Sequence, residues 1–247
     1  MSTCNIAALT MEKFSVLKKI RRTGFLYLIG IVINRIVPAW LFRFRQFVVY
    51  EIDASKFESE ETGGPNDQAP PLQISWCETN NDLQAVQQLT YTKADKLQGQ
   101  YRIAQAKSGQ QLAGALWGVK DCFVEEELGT VLHLNPNQIW LFAALVDGAF
   151  RRQGIYAKVL GFMVHNGEKV FSSDDDKPLR YLLCVNPHNI ASNRVHRKYS
   201  KAVLGQAFSL KVARVAICLC FGKQLSADSI ITWDAKNRPI SLRIVSL

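Results

Sequence analysis

The sequence predicts an α/β domain rich in strands, and three observations carry that expectation. From residue 72 onward, short apolar runs alternate with segments of helical period. Two strand-like runs, 101–106 and 111–117, flank Ser108-Gly109, which is a hairpin signal. An unbroken apolar run, 139–146, leads into DGAFRRQG, after which IYAKVL resumes an apolar pattern of helical spacing. With 247 residues, 48% of them hydrophobic and 10% aromatic, the chain can build a full core.

Taken in order, residues 1–57 read as a basic, apolar N-terminal extension formed by a helix and a short strand near 47–51. Residues 1–50 hold eight basic side chains (Lys13, Lys18, Lys19, Arg21, Arg22, Arg35, Arg43, Arg45) against Glu12 alone, so most of the formal net charge of +9 lies there. The apolar stretch 25–33 is broken by Asn34, Arg35 and Pro38 after nine residues, well short of the ~20 a membrane-crossing helix requires. It has the basic start of a secretory leader but no small-residue cleavage site after it. Two readings stand: a helix packed on the domain with its basic end in water, or a helix lying on an anionic membrane surface through residues 13–45. Residues 58–71, acidic and rich in glycine and proline, read as a linker, with the main domain at 72–247.

Within that domain 72–77 reads as a strand and 81–89 as a helix with Leu83, Val86 and Leu89 on its inner side. The hairpin follows, then a less regular stretch with Glu125–Glu127 and an apolar run at 131–134. The buried strand 139–146 precedes a helix opened by Gly154 and ending near Gly167, and 172–178 is a loop. Residues 181–185 form another apolar strand, 189–198 a short helix, and 203–209 and 212–220 two closing strands. The nearly neutral body lacks a basic stripe interleaved with aromatics, which argues against nucleic acid as a partner. Six cysteines (Cys4, Cys77, Cys122, Cys184, Cys218, Cys220) show neither a CxxC pair nor zinc-finger spacing, so no metal site is expected, and Cys184, Cys218 and Cys220, inside apolar runs, read as reduced core thiols of a cytoplasmic protein.

The glycine turn is where chemistry enters. A helix that begins at the carboxyl end of a buried strand presents N–H groups without intrahelical acceptors, and its dipole adds partial positive charge. Glycine allows an anion close to the backbone, and Arg151 and Arg152 add full charges. The turn reads Arg151-Arg152-Gln153-Gly154-Ile155-Tyr156 after Val146, and Asn189-Ile190-Ala191-Ser192 opens a second helix 35 residues beyond Gly154 (189 − 154). This order resembles the GNAT superfamily of N-acyltransferases over about residues 72–220. The resemblance implies a GNAT-like mixed, largely antiparallel central sheet flanked by helices.

By that resemblance, the backbone from Gln153 through Gly154, Ile155 and Tyr156 to Ala157 holds the pyrophosphate of acetyl-CoA or another acyl-CoA. Leu145, Val146, Arg151, Arg152, Asn189 and Ser192 complete the cofactor-binding set, with the pantetheine arm between strands 139–146 and 181–186. An amine would enter from the other side and attack the thioester, which needs a base, a carbonyl-polarising donor and an acid for the thiolate. His196 stands where many relatives carry a tyrosine acid, and Tyr199 is its rival. Glu127, with Glu125, Glu126 and Asp147, is among the carboxylates available as a base. Tyr156 replaces a usually small residue, and Lys198-Tyr199-Ser200-Lys201 departs from the family's pattern at the helix exit.

The expectation is therefore transfer of an acetyl or other acyl group to a primary amine of a small molecule, amino sugar or lipid. The protein would be cytoplasmic, with a possible peripheral place at the inner face of a membrane and a possible homodimeric state. The alternative is a catalytically inactive acyl-CoA-binding or envelope-assembly module on the same fold.

Overall fold

The computed structural model describes residues 32–33, 35–37, 42–57, 71–92, 101–125, 130–171, 177–212, 215–221 and 232–235. The basic stretch 13–31, nearly all of the expected linker, Glu126 and Glu127 lie outside the described residues. Among the described residues from Phe42 onward the strands and α-helices run in the order β1 (Phe42–Ile52), β2 (Leu72–Trp76), α1 (Asn80–Thr90), β3 (Tyr101–Ser108), β4 (Gln111–Val119), β5 (Cys122–Glu125), β6 (Thr130–His133), β7 (Gln138–Val146), α2 (Ile155–Asn166), β8 (Arg180–Val185), α3 (Ile190–Tyr199), β9 (Ser200–Val212), β10 (Val215–Phe221) and β11 (Thr232–Ala235).

Eight strands form one sheet in the order β10-β9-β1-β8-β7-β4-β3-β2, and β11-β6-β5 form a second, smaller one. Every neighbour pair in the large sheet is antiparallel except β7 with β8. The expected mixed, largely antiparallel sheet flanked by helices is therefore what the chain forms.

Strand alternation sends successive side chains to opposite faces, and each face finds its own cover. On one face Tyr50, Ile52, Leu116, Ile139, Leu141, Tyr181 and Leu183 pack beneath α2, whose Ile155, Val159, Leu160 and Met163 are fully or almost fully buried. On the other, Ile103, Ala115 and Trp117 lie under Val86 of α1, while Val49, Val119 and Trp140 meet Leu132 beneath the small sheet. Thr79 caps α1, its Oγ1 accepting the Asp82 N–H at 3.1 Å. Gly114 lets α2 come down onto β4, because a Cβ there would lie 3.2 Å from Ile155 Cγ2.

The position of β1 departs from the sequence reading. That reading gave residues 1–57 to an extension ending in a strand of about five residues. Instead an eleven-residue strand runs between β8 and β9, in the interior of the sheet. Residues 42–52 are thus part of the same sheet as the strands that follow the linker. The physical reason lies in Phe47, Val48, Val49 and Tyr50, which are buried on both faces as only an interior strand allows. The small sheet, including β11, was not anticipated as a separate layer. No described helix is long and apolar enough to cross a membrane.

Candidate active site

The site begins where β7 and β8 part. Their parallel ladder runs from Gln138–Arg180 to Leu141–Leu183 and ends there, although both strands continue. Each is held by its other neighbour: Leu145 and Val146 pair with Ala115 and Gly114 of β4, while Cys184 and Val185 pair with Val49 and Val48 of β1. A β-bulge sits at the parting. Between the pairs Trp117–Phe142 and Ala115–Leu145, β4 advances two residues and β7 three, and Ala143 takes a left-handed φ of 46°. Such a bulge bends its strand and re-aims backbone groups, here immediately past the last β7–β8 rung. A left-handed alanine costs about 1–2 kcal/mol, which the paired strands on either side of it sustain.

From Val146 the chain enters the glycine turn. Asp147 N–H bonds to Ala113 O at 2.9 Å, and the Asp147 carboxylate accepts the Ala149 N–H at 2.9 Å, so Asp147 caps a short 3-10 turn over Gly148–Phe150. Arg151 and Arg152 are exposed, with Arg151 Nε directed at Val146 O at 3.4 Å. Arg152 and Gly154 are both left-handed, at φ 68° and 72°, bracketing Gln153. Gly154 provides no side-chain cap for α2, so the first-turn N–H groups of Ile155, Tyr156 and Ala157 have no intrahelical or capping acceptor. A Cβ added at Gly154 would meet nothing within 4 Å, which leaves open space over the turn. Ile155, 3% exposed, anchors the helix start in the core. The backbone amides, the two guanidinium groups and this open approach together suit a phosphate-bearing ligand.

Across from the turn, α3 carries the second motif. Asn189 is its N-cap, the side chain accepting the Ser192 N–H at 3.1 Å. Asn193, buried, donates to Asn186 O and Asn189 O at 2.8 Å each and accepts from the Tyr50 hydroxyl at 2.8 Å. This ties the β8–α3 loop to β1. His196, 3% exposed, stacks on Tyr50 with ring centroids 5.8 Å apart. Its Nδ1 lies 3.2 Å from Ser192 Oγ and its Nε2 lies 2.5 Å from the Tyr156 hydroxyl.

Burial pulls the His196 pKa down to about 4, opposed by its hydrogen bond to the Ser192 backbone, so the ring is neutral at pH 7. With the proton on Nδ1, facing Ser192, Nε2 accepts from Tyr156. Burial pushes the Tyr156 hydroxyl well above its ordinary range, so it too is uncharged. The pair is a neutral hydrogen-bonded chain joining the start of α2 to α3.

The sequence-predicted residues divide accordingly. Leu145, Val146, Arg151, Arg152, Gln153, Gly154, Ile155, Tyr156 and Ala157 form one continuous strand end, turn and helix start, and Asn189, Ser192 and His196 lie on the helix joined to it through Tyr156. Tyr199 lies apart from this group. Its ring is buried and stacked on Phe57 at 4.3 Å and 8°, and it belongs to the core. Glu127 lies outside the described residues. Sequence reasoning missed the side-chain role of Tyr156, the Tyr50–Asn193 tie and the Ala143 bulge. Only the first left a trace, as a bulky residue where a small one is usual. Among the described residues no three metal-capable side chains come together.

No protein-family model matches the chain, and no curated protein matches its sequence. Among solved structures, a conserved protein of unknown function from Staphylococcus epidermidis is similar at 13% identity and a TM-score of 0.46, over 79% of this chain and 66% of that one. A GCN5-related N-acetyltransferase from Kribbella flavida is similar at 9% identity and a TM-score of 0.41, over 84% of this chain and 67% of that one. A Drosophila protein is similar at 10% identity and a TM-score of 0.42, over 77% of this chain and 58% of that one. The chain thus spans 58–67% of the length of these three structures.

Proposed function

We propose that the protein is an acyl-CoA-dependent N-acyltransferase of GNAT type, transferring an acetyl or other acyl group to a primary amine of a small molecule, amino sugar or lipid. The observation that carries the reading is the parting of β7 from β8 at a bulge, directly upstream of the left-handed glycine turn. The gap would take the pantetheine arm, and the amides of Gln153–Ala157 with Arg151 and Arg152 would take the pyrophosphate. Backbone N–H groups of β7 beyond Leu141 would polarise the thioester carbonyl. The amine nitrogen then bonds to the carbonyl carbon, the C–S bond breaks, the nitrogen loses one proton and the thiolate gains one. The Tyr156–His196 chain would carry the proton to the sulfur. The protein would work in the cytoplasm, with residues 13–45 as a membrane contact and a homodimer as its assembly.

A second reading keeps the CoA site without turnover. Both ring nitrogens of His196 are engaged and the ring is buried, which suits a clasp between α2 and α3 as well as a proton carrier.

Calorimetric titration of acetyl-CoA and desulfo-CoA, with Gly154→Glu and Gly154→Ala in parallel, tests the site. Both variants share the left-handed strain of about 1–2 kcal/mol, but only the glutamate places negative charge at the phosphate seat. Binding by wild type, weakened binding by the alanine variant and none by the folded glutamate variant are expected. Absence of binding by folded wild type would refute both readings, while binding without turnover on an amine panel would favour the second.

A further inference from the structure

We infer that the outer stripe of α3, with the exposed end of β9 beside it, is a contact surface for an anionic lipid bilayer. The inward side of α3 is Asn193, His196 and Tyr199, all buried. The opposite side is Ile190, Arg194, Arg197 and Lys198, all exposed, with Arg194 four residues beyond Ile190 and the adjacent Arg197 and Lys198 three and four beyond Arg194. Ile190 is 65% exposed, and Val203, on the neighbouring strand β9 opposite Tyr50 in register, is 50% exposed. Two branched apolar side chains thus stand in water among cations, a combination suited to the boundary between headgroups and acyl chains.

The charge along the α3 stripe is of one sign. No Asp or Glu occurs anywhere in residues 177–227, nor in residues 148–167, which supply the turn and α2 on the same face of the sheet. Within those segments no carboxylate opposes an anionic surface; Asp53, whose N–H bonds to Tyr199 O at 2.9 Å, stands past the end of α3. Lys198 also lies over the Tyr199 ring at 5.0 Å, and among the described residues neither Arg194 nor Arg197 forms an ion pair. Complementarity of charge therefore fits a phospholipid surface with net negative headgroups, with Arg194 and Arg197 as the main contacts. Residues 1–50 carry eight basic side chains against one acidic, an excess of the same sign. The inference stands apart from the acyltransferase reading and holds whether or not the turn binds CoA.

The test is partition of the full chain to vesicles of phosphatidylcholine with phosphatidylglycerol, compared with phosphatidylcholine alone. Arg194→Gln and Arg197→Gln each lower partition about fivefold, and together about thirtyfold, at roughly 1 kcal/mol per cation. Ile190→Ser lowers it further without changing the charge. Lys201→Gln serves as the control of equal charge: that side chain is 68% exposed but reaches Glu51, on the opposite face of the sheet, at 4.0 Å. Equal losses from Lys201→Gln and Arg194→Gln would overturn the inference, leaving only a diffuse effect of net charge. Unchanged partition in the double variant would overturn it as well, assigning vesicle binding to the N-terminal segment. So would preferential binding of poly-glutamate over vesicles at matched charge. Circular dichroism of each variant checks that the fold is retained.

Discussion

Replacing His196 with glutamine separates the titration of this residue from its hydrogen bonding. His196 takes a pKa of about 4 in the fold against 6.5 as its ordinary value, chiefly because burial disfavours the charged ring. In the unfolded chain it takes up a proton as pH falls through 6.5, whereas the folded chain does so only near 4. Between those values the unfolded state binds more protons, so stability is fully present above pH 6.5 and declines as pH falls. The gap of 2.5 units corresponds to about 3 kcal/mol, of which about 2 kcal/mol is lost by about pH 4.5. A glutamine carbonyl can still accept from the Tyr156 hydroxyl but cannot titrate. The assay is urea unfolding of wild type and His196→Gln at about pH 7 and about pH 4.5, where the shared titration of other groups cancels in the difference. Wild type loses about 2 kcal/mol more than the variant over that interval. Parallel losses, agreeing within about 0.5 kcal/mol, would mean that the ring is not held neutral and that the buried Tyr156–His196 chain is wrongly described.

Two further expectations concern packing and charge. Gly167→Ala drives a Cβ into the hydroxyl of buried Tyr181, so the close approach of α2's end to β8 is lost and unfolding free energy falls by about 1–3 kcal/mol, measured by urea titration. Arg180→Ala leaves Glu51, whose side chain is 9% exposed and is held by Arg180 Nε at 3.1 Å and Nη2 at 2.7 Å, with only the longer 4.0 Å approach of the exposed Lys201. The cost is about 2–3 kcal/mol, below that of a fully buried pair because Arg180 is 29% exposed and water screens that side, and the double variant with Glu51→Gln recovers part of it.

Much of the candidate site was legible because it is local in the chain. The strand ending at Val146, the paired arginines, the glycine and the helical apolar spacing of Ile155, Val159 and Met163 are contiguous, and their conformations follow from nearest neighbours. The core position of Tyr199 was hidden for a different reason. His196 and Tyr199 are separated by three residues on one helix, and only the position of Phe57, from the other side of the linker, draws the Tyr199 ring into the core. The same distance hid Tyr50, whose hydroxyl orders Asn193 across 143 positions of sequence.

The amino-acid sequence by itself determined which segments are strands and helices around the turn, that the turn ends in a glycine, and that two arginines precede that glycine. Those properties come from side-chain period, glycine's missing Cβ and composition, all readable within a few residues. Tertiary structure alone decided that β1 runs between β8 and β9, that β7 parts from β8 past Leu141, and that His196 is dry and neutral against Tyr156. Each of these depends on which distant strand or helix occupies the neighbouring place, because register, splay and desolvation are properties of pairs of elements rather than of any one of them.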